Sequence, residues 1–313
     1  MGTMDLENLP ESLIDILRGY AVLCSPRNLC FPTALAFSDV HDFLLNRLLL
    51  NPHLTKYPPS SEYQKIFWKW AILNLEQLSR TDDDEIDERL YEHISHLQVT
   101  HSVPQTLGTR PPVPSFFTYI WPCDTGYETY TLKESRTTIE NGTTGMKTWR
   151  ASLVLAQYLI QYPELVRGKS ILELGSGIGL LGLLLSALQV SDAKPGRIIL
   201  TDVNPQVLSR CEENLALPCN RSSQHKSLMT QELDWNDALQ ESRRPIINDL
   251  LRRISPELVI GADVVFDPSI IPALVAVLQL VLEHSTSQFV LIALTVRNEH
   301  TVADFMRQAS EHF

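Results

Sequence analysis

Four short stretches carry residues whose types and spacing could do chemistry. "LELGSGIGL" places Glu173 ahead of Gly175, Ser176, Gly177 and Gly179; "RIILTDV" carries Asp202; "ELDW" carries Asp234 and Trp235; "ADVVFDP" carries Ala262 and Asp263. Glycine at every second position lets the main chain approach a ligand with no side chain in the way. A carboxylate beside such a turn accepts both hydroxyls of a ribose, which selects a nucleoside cofactor. An aromatic ring at a further strand end can lie against an adenine face. Each feature also has a plainer alternative. Asp202 could cap a helix opening at "NPQ", Trp235 could be a core residue, and Trp149, at the head of an earlier helix, could be core packing.

The glycine spacing narrows the ligand. A dinucleotide turn reads G-x-G-x-x-G, and counting from Gly175 the last position is Leu180. The observed E-x-G-x-G-x-G suits a ligand without a pyrophosphate. S-adenosylmethionine has a ribose and an amino-acid tail but no phosphate. A non-catalytic binding module that keeps a cofactor fold and a nicotinamide-dependent dehydrogenase are the alternatives.

These residues must be held by the elements around them. From Gly168 onward, apolar segments such as "SILELGS", "GRIILTDV", "ELVIGADVVF" and "QFVLIALTV" alternate with helical ones such as "GLLGLLLSALQ", "QVLSRCEENLAL" and "IPALVAVLQLVLEH". Strands this apolar between helices imply a parallel sheet covered on both faces, a doubly wound, Rossmann-like α/β fold. Its ligands sit at the carboxyl ends of the strands. "TWRASLVLAQYLIQY" reads as a helix with Thr148 as its N-cap. Ahead of it, residues 1–102 read as helices throughout, 103–127 as a Pro-rich, aromatic linker, and 128–313 as the doubly wound domain, opened by the strand-like "YETYTLKESRTTI".

Composition limits the partners. Lys and Arg number 26 against 37 Asp and Glu, a net charge of −11. That disfavours a nucleic-acid partner and suits a basic substrate. Five cysteines with no CxxC pair point to a reducing compartment, and cytoplasmic localisation is expected. No apolar run is long enough to span a bilayer. Asp82, Asp83, Asp84 and Glu85 read as a solvated helix start and not as a metal site.

At "NGTTGMKTWRASLVLAQYLI", "LELGSGIGLLGL", "ELDW" and "ADVVFDP" the sequence resembles the seven-strand protein-lysine methyltransferases, methyltransferase family 16. "YPPSSEYQKIFWKW" and "FVLIALTVRN" are similar to the branch acting on translation elongation factor 2. The resemblance implies S-adenosylmethionine as cofactor, with Trp149, Gly175, Ser176, Gly177, Trp235 and Ala262 lining its site. It also implies Asp202 on the ribose and Glu173 near the amino group of the methionine part. The family's D-x-x-Y after the fourth strand here reads Asp263, Val264, Val265, Phe266, so no phenol is present, and Asp263 is expected to orient the acceptor amine. The helical region and "SFFTYIW" are expected to recognise the protein substrate. The family fold would continue through two more strands after "QFVLIALTVRN" and a helix. Their absence would leave Val290, Ile292 and Leu294 on an exposed apolar edge, the mark of a shortened chain.

Overall fold

The computed structural model describes residues 3–4, 6, 8–81, 84–99, 113–123, 126–140, 142–284 and 290–312. Asp82, Asp83 and the first ten residues of the expected linker, 103–112, lie outside the described residues. Asp84 accepts the backbone N–H groups of Arg80 and Thr81. Contacts divide the chain into two compact units that meet in sequence between Thr137 and Thr138.

The first unit contains β1 (Thr3–Met4), α1 (Glu11–Ala21), α2 (Phe37–Asp42), α3 (Pro52–Lys56), α4 (Ser61–Leu78), α5 (Glu88–Val99), β2 (Ser115–Cys123) and β3 (Gly126–Glu134). A π-helical stretch, Phe43–Leu49, prolongs α2. The Ser60 side chain accepts the N–H of Tyr63 and starts α4, which buries Phe67, Trp68, Ala71, Ile72 and Leu75 at helical spacing. Their partners include Leu13, Leu17 and Tyr20 of α1, with the Tyr20 and Phe67 rings 4.5 Å apart.

The expected linker is corrected here. "SFFTYIWPC" is strand β2, paired antiparallel with β3 from Ser115 opposite Glu134 to Cys123 opposite Gly126. The sheet order β1-β3-β2 puts β2 at an edge, where Pro122 is tolerated because no central ladder needs its missing N–H. Both strands belong to the first unit, so the expected boundary at 127–128 falls at Thr137–Thr138. The His53 imidazole meets the hydroxyls of Thr118 at 3.3 Å and Thr131 at 2.9 Å, tying α3 to the hairpin. Burial pushes its pKa down to about 4.

The second unit contains α6 (Arg150–Gln161), β4 (Ile171–Leu174), α7 (Leu180–Gln189), β5 (Ile198–Asp202), α8 (Pro205–Leu215), β6 (Leu228–Glu232), α9 (Arg244–Ile254), β7 (Leu258–Ala262), α10 (Ile271–His284), β8 (Val290–Ala293) and α11 (Glu299–Ser310). The sheet order is β6-β5-β4-β7-β8, every pair parallel. The chain winds outward from β4 to β6, then returns to β7 beside β4. Strand order therefore reverses between β4 and β7, where doubly wound folds open a crevice at the strand ends. Leu172, Leu174, Ile199 and Val259 share one face and pack with Leu250 and Leu251 of α9 and with Leu274, Val277 and Val281 of α10. Burying each such side chain contributes roughly 1.5–3 kcal/mol. Val290, Ile292 and Leu294, on or just after β8, are half-buried against the same core. The N-cap position of α6 is Trp149, one residue later than expected, and its side chain makes no capping bond.

Candidate functional site

The glycine turn after β4 owes its shape to backbone conformations that side chains resist. Gly175 and Gly177 have φ of +68° and +53°. A Cβ on Gly175 would meet Val264 Cγ1 at 2.9 Å, and one on Gly177 would meet the Gly145 carbonyl at 3.2 Å. Ser176 donates its N–H to the Thr201 carbonyl at 2.8 Å, which fastens the turn to β5.

Two carboxylates stand beside the turn. Asp202 Oδ2 accepts the Gly177 N–H at 3.3 Å, and Oδ1 accepts the Asn204 N–H at 3.0 Å. The cap of α8 is Asn204, whose Oδ1 accepts from Gln206 and Val207. Asp202 therefore keeps lone pairs for a ligand, since a carboxylate offers about four acceptor sites. Burial raises the Asp202 pKa against the pull of these N–H groups. Glu173, on β4, is 2% exposed, and burial pushes its pKa up to about 8, with the Asp202 charge acting in the same direction. Glu173 Oε2 is buried without a hydrogen-bond partner among the described residues, while the neighbouring Ser176 hydroxyl partly offsets the rise in the Glu173 pKa. Buried polar groups are nearly always paired, so this oxygen marks where a ligand belongs.

The aromatic residues frame the opening. Trp235 is half-buried, with its ring edge 3.6 Å from where a Gly175 Cβ would stand. Asp234 accepts the Asn236 N–H at 2.9 Å and caps the short 3-10 turn Trp235–Leu239. Trp149 donates its indole N–H to the Thr144 carbonyl at 3.0 Å. Phe266 is 53% exposed at the rim.

Asp263 differs from the expectation that it is open to an acceptor amine. Its side chain is 6% exposed. Oδ1 accepts the Thr295 N–H at 2.8 Å, while Oδ2 accepts the Thr295 hydroxyl and Arg297 Nη2, each at 3.1 Å. Its backbone sits at φ +55°, strained for a residue with a Cβ, and its N–H donates to the Ala293 carbonyl. Thr295 and Arg297 were not anticipated as site residues. "TVRN" signalled only a strand end, and nothing local in it announces a partner far away in sequence.

Trp149, Glu173, Gly175, Ser176, Gly177, Asp202, Asp234, Trp235, Ala262 and Asp263 all border one cavity of about 810 Å³, joined there by Arg297 and Phe266. The volume and mixed lining suit a nucleoside-sized ligand. A family model described as lysine methyltransferase matches residues 130–312. The chain belongs to the lysine methyltransferase family. Protein-lysine N-methyltransferase EEF2KMT of Homo sapiens is 31% identical over 268 residues, which span 82% of this chain and 73% of that protein. Protein-lysine N-methyltransferase EFM3 of Chaetomium thermophilum is 34% identical over 177 residues, 56% of this chain and 50% of that one. The EFM3 of Saccharomyces cerevisiae is 29% identical over 182 residues, 54% of this chain and 49% of that one. For this lysine methyltransferase, membership implies S-adenosylmethionine as the methyl source and a protein as the substrate. Among the described residues, no helix is long and apolar enough to cross a membrane.

Proposed function

We propose that this lysine methyltransferase binds S-adenosylmethionine in the β4–β7 crevice and methylates a lysine of translation elongation factor 2. One observation carries the cofactor reading. A cavity bordered by the glycine turn, a ribose-type carboxylate, aromatic rings and a buried carboxyl with one oxygen unpartnered among the described residues joins every expected cofactor residue. Support for the substrate comes from the relatives named EEF2KMT and from the motifs shared with that branch.

The residues present fit the cofactor. Asp202 keeps acceptor sites for two ribose hydroxyls. Glu173 Oε2, without a hydrogen-bond partner among the described residues, suits the α-ammonium group of the methionine part, and a cation there returns the carboxyl to its ionised form. Gly175 and Gly177 leave bare backbone where a Cβ would narrow the turn. When bound, S-adenosylmethionine supplies a methyl group on a sulfonium, which a neutral amine takes in one in-line displacement. The chain's part is to hold the partners in line, the source of most of the rate. The exposed Phe266 ring gives the incoming lysine an apolar wall, and desolvation there lowers the amine pKa toward the neutral form. Asp263 acts through its bonds to Thr295 and Arg297. We place the reaction in the cytoplasm, in keeping with five free cysteines. We assign substrate recognition to the first unit.

Labelled methyl transfer tests the function. Incubation with tritiated S-adenosylmethionine and a cell lysate is expected to label elongation factor 2 on lysine. Label on another protein overturns the substrate assignment. No label, together with tighter calorimetric binding of a nicotinamide dinucleotide than of S-adenosylhomocysteine, overturns the chemistry.

A further inference from the structure

Arg297 joins two residues that come from distant parts of the second unit. Its Nη2 donates to Asp263 Oδ2 at 3.1 Å, and its guanidinium carbon lies 4.5 Å from the centroid of the Trp149 ring. We propose that Arg297 is a positioning residue: the Asp263–Arg297–Trp149 stack holds the Trp149 indole in the cavity wall, and cofactor affinity depends on that hold. The proposal rests on the reading that the cavity takes S-adenosylmethionine.

The order of anchoring supports it. Asp263 is fixed first, because both of its oxygens are engaged by Thr295, one by the backbone N–H and one by the hydroxyl. A carboxylate only 6% exposed holds its counter-charge more firmly than a surface pair does, although the guanidinium itself is 44% exposed. Arg297 is thereby held along one edge, and its flat face is free to lie on an indole. A planar, weakly hydrated guanidinium is suited to that stacking, and an ammonium is not. Beyond the stack, the Trp149 ring has one polar tie among the described residues, its N–H bond to the Thr144 carbonyl. Thr144 precedes Gly145, whose carbonyl lies 3.2 Å from where a Gly177 Cβ would stand. Losing the stack therefore loosens both the indole and the loop that braces the turn.

A double-mutant cycle tests the stack. S-adenosylhomocysteine affinity is measured by calorimetry, and thermal midpoint recorded, for the full chain and for Arg297→Ala, Trp149→Ala, the double variant and Arg297→Lys. Each alanine substitution is expected to weaken binding about tenfold, and the double variant to bind within about twofold of the weaker single one. Arg297→Lys should restore the thermal midpoint, since a positive charge again faces Asp263, but not the affinity. Losses that multiply in the double variant, wild-type affinity in Arg297→Ala, or full recovery of affinity by Arg297→Lys would each overturn the proposal. If Trp149→Ala does not fold, Trp149→Leu takes its place in the cycle under the same criteria. A wild-type chain that binds no S-adenosylhomocysteine removes the cofactor reading and the proposal together; binding with independent losses removes the stack alone.

Discussion

Replacing Glu173 by Gln tests whether a carboxyl group is held neutral beneath the glycine turn. Its pKa rises from the ordinary 4.5 to about 8 because burial disfavours the charge. Between those values the folded, ligand-free protein keeps a proton that the unfolded chain has released. The folded state thus loses stability as pH climbs from 4.5 to 8, relative to a side chain that never ionises. At about 1.4 kcal/mol per unit, the cost reaches about 3 kcal/mol at pH 7 and about 5 kcal/mol above pH 8. Gln keeps the shape and stays neutral. Denaturant unfolding of both proteins from pH 5 to 8.5 should show the variant gaining on wild type across that window. The difference is the useful quantity, because titrating groups that do not interact with Glu173 cancel in it. S-adenosylhomocysteine should reverse the ranking at pH 7, since only the carboxylate pairs with its ammonium group. Parallel pH profiles for the two proteins would refute the reasoning and place Glu173 in a more polar setting than the cavity wall.

Asp202→Ala removes both acceptors offered to the ribose and should weaken S-adenosylhomocysteine about 10- to 100-fold by calorimetry; unchanged affinity would remove Asp202 from the site. Gly177→Ala forces a Cβ into a φ of +53° and to 3.2 Å from the Gly145 carbonyl, so a loss of about 1–2 kcal/mol in unfolding free energy is expected. An unaltered thermal midpoint would show that the turn relaxes freely. A chain starting at Thr138 should bind S-adenosylhomocysteine within about twofold of the whole protein, a factor worth about 0.4 kcal/mol, yet transfer no methyl group to elongation factor 2. Methylation by that fragment at the full-length rate would end the assignment of substrate recognition to the first unit.

Features with short sequence range were legible. β4, the glycine turn and α7 form one continuous stretch, and the same holds for Asp202 at the end of β5 and Asp234–Trp235 after β6, because strand ends and turn residues are set by near neighbours. Strand alternation also identified β3. What escaped was set at long range. β2 carries a strand-like aromatic alternation, but the prolines flanking it suggested a linker; only its edge position makes Pro122 acceptable. The hairpin's membership of the first unit depends on packing, which local pattern does not encode. Asp263 was legible as a strand-end carboxylate. Its commitment to Thr295 and Arg297 was not, because those partners lie 32 and 34 residues further along. The stacking of Arg297 on Trp149 is longer in range still.

Purified elongation factor 2, incubated with this protein and S-adenosylmethionine, provides the most direct measurement, read by intact mass and by peptide mapping. The account predicts a gain of one or more methyl masses on a single lysine, at an initial rate that falls about 5- to 50-fold with Asp202→Ala at a cofactor concentration near the wild-type Kd. Elongation factor 2 of unchanged mass, with a protein that binds S-adenosylhomocysteine normally, would contradict it.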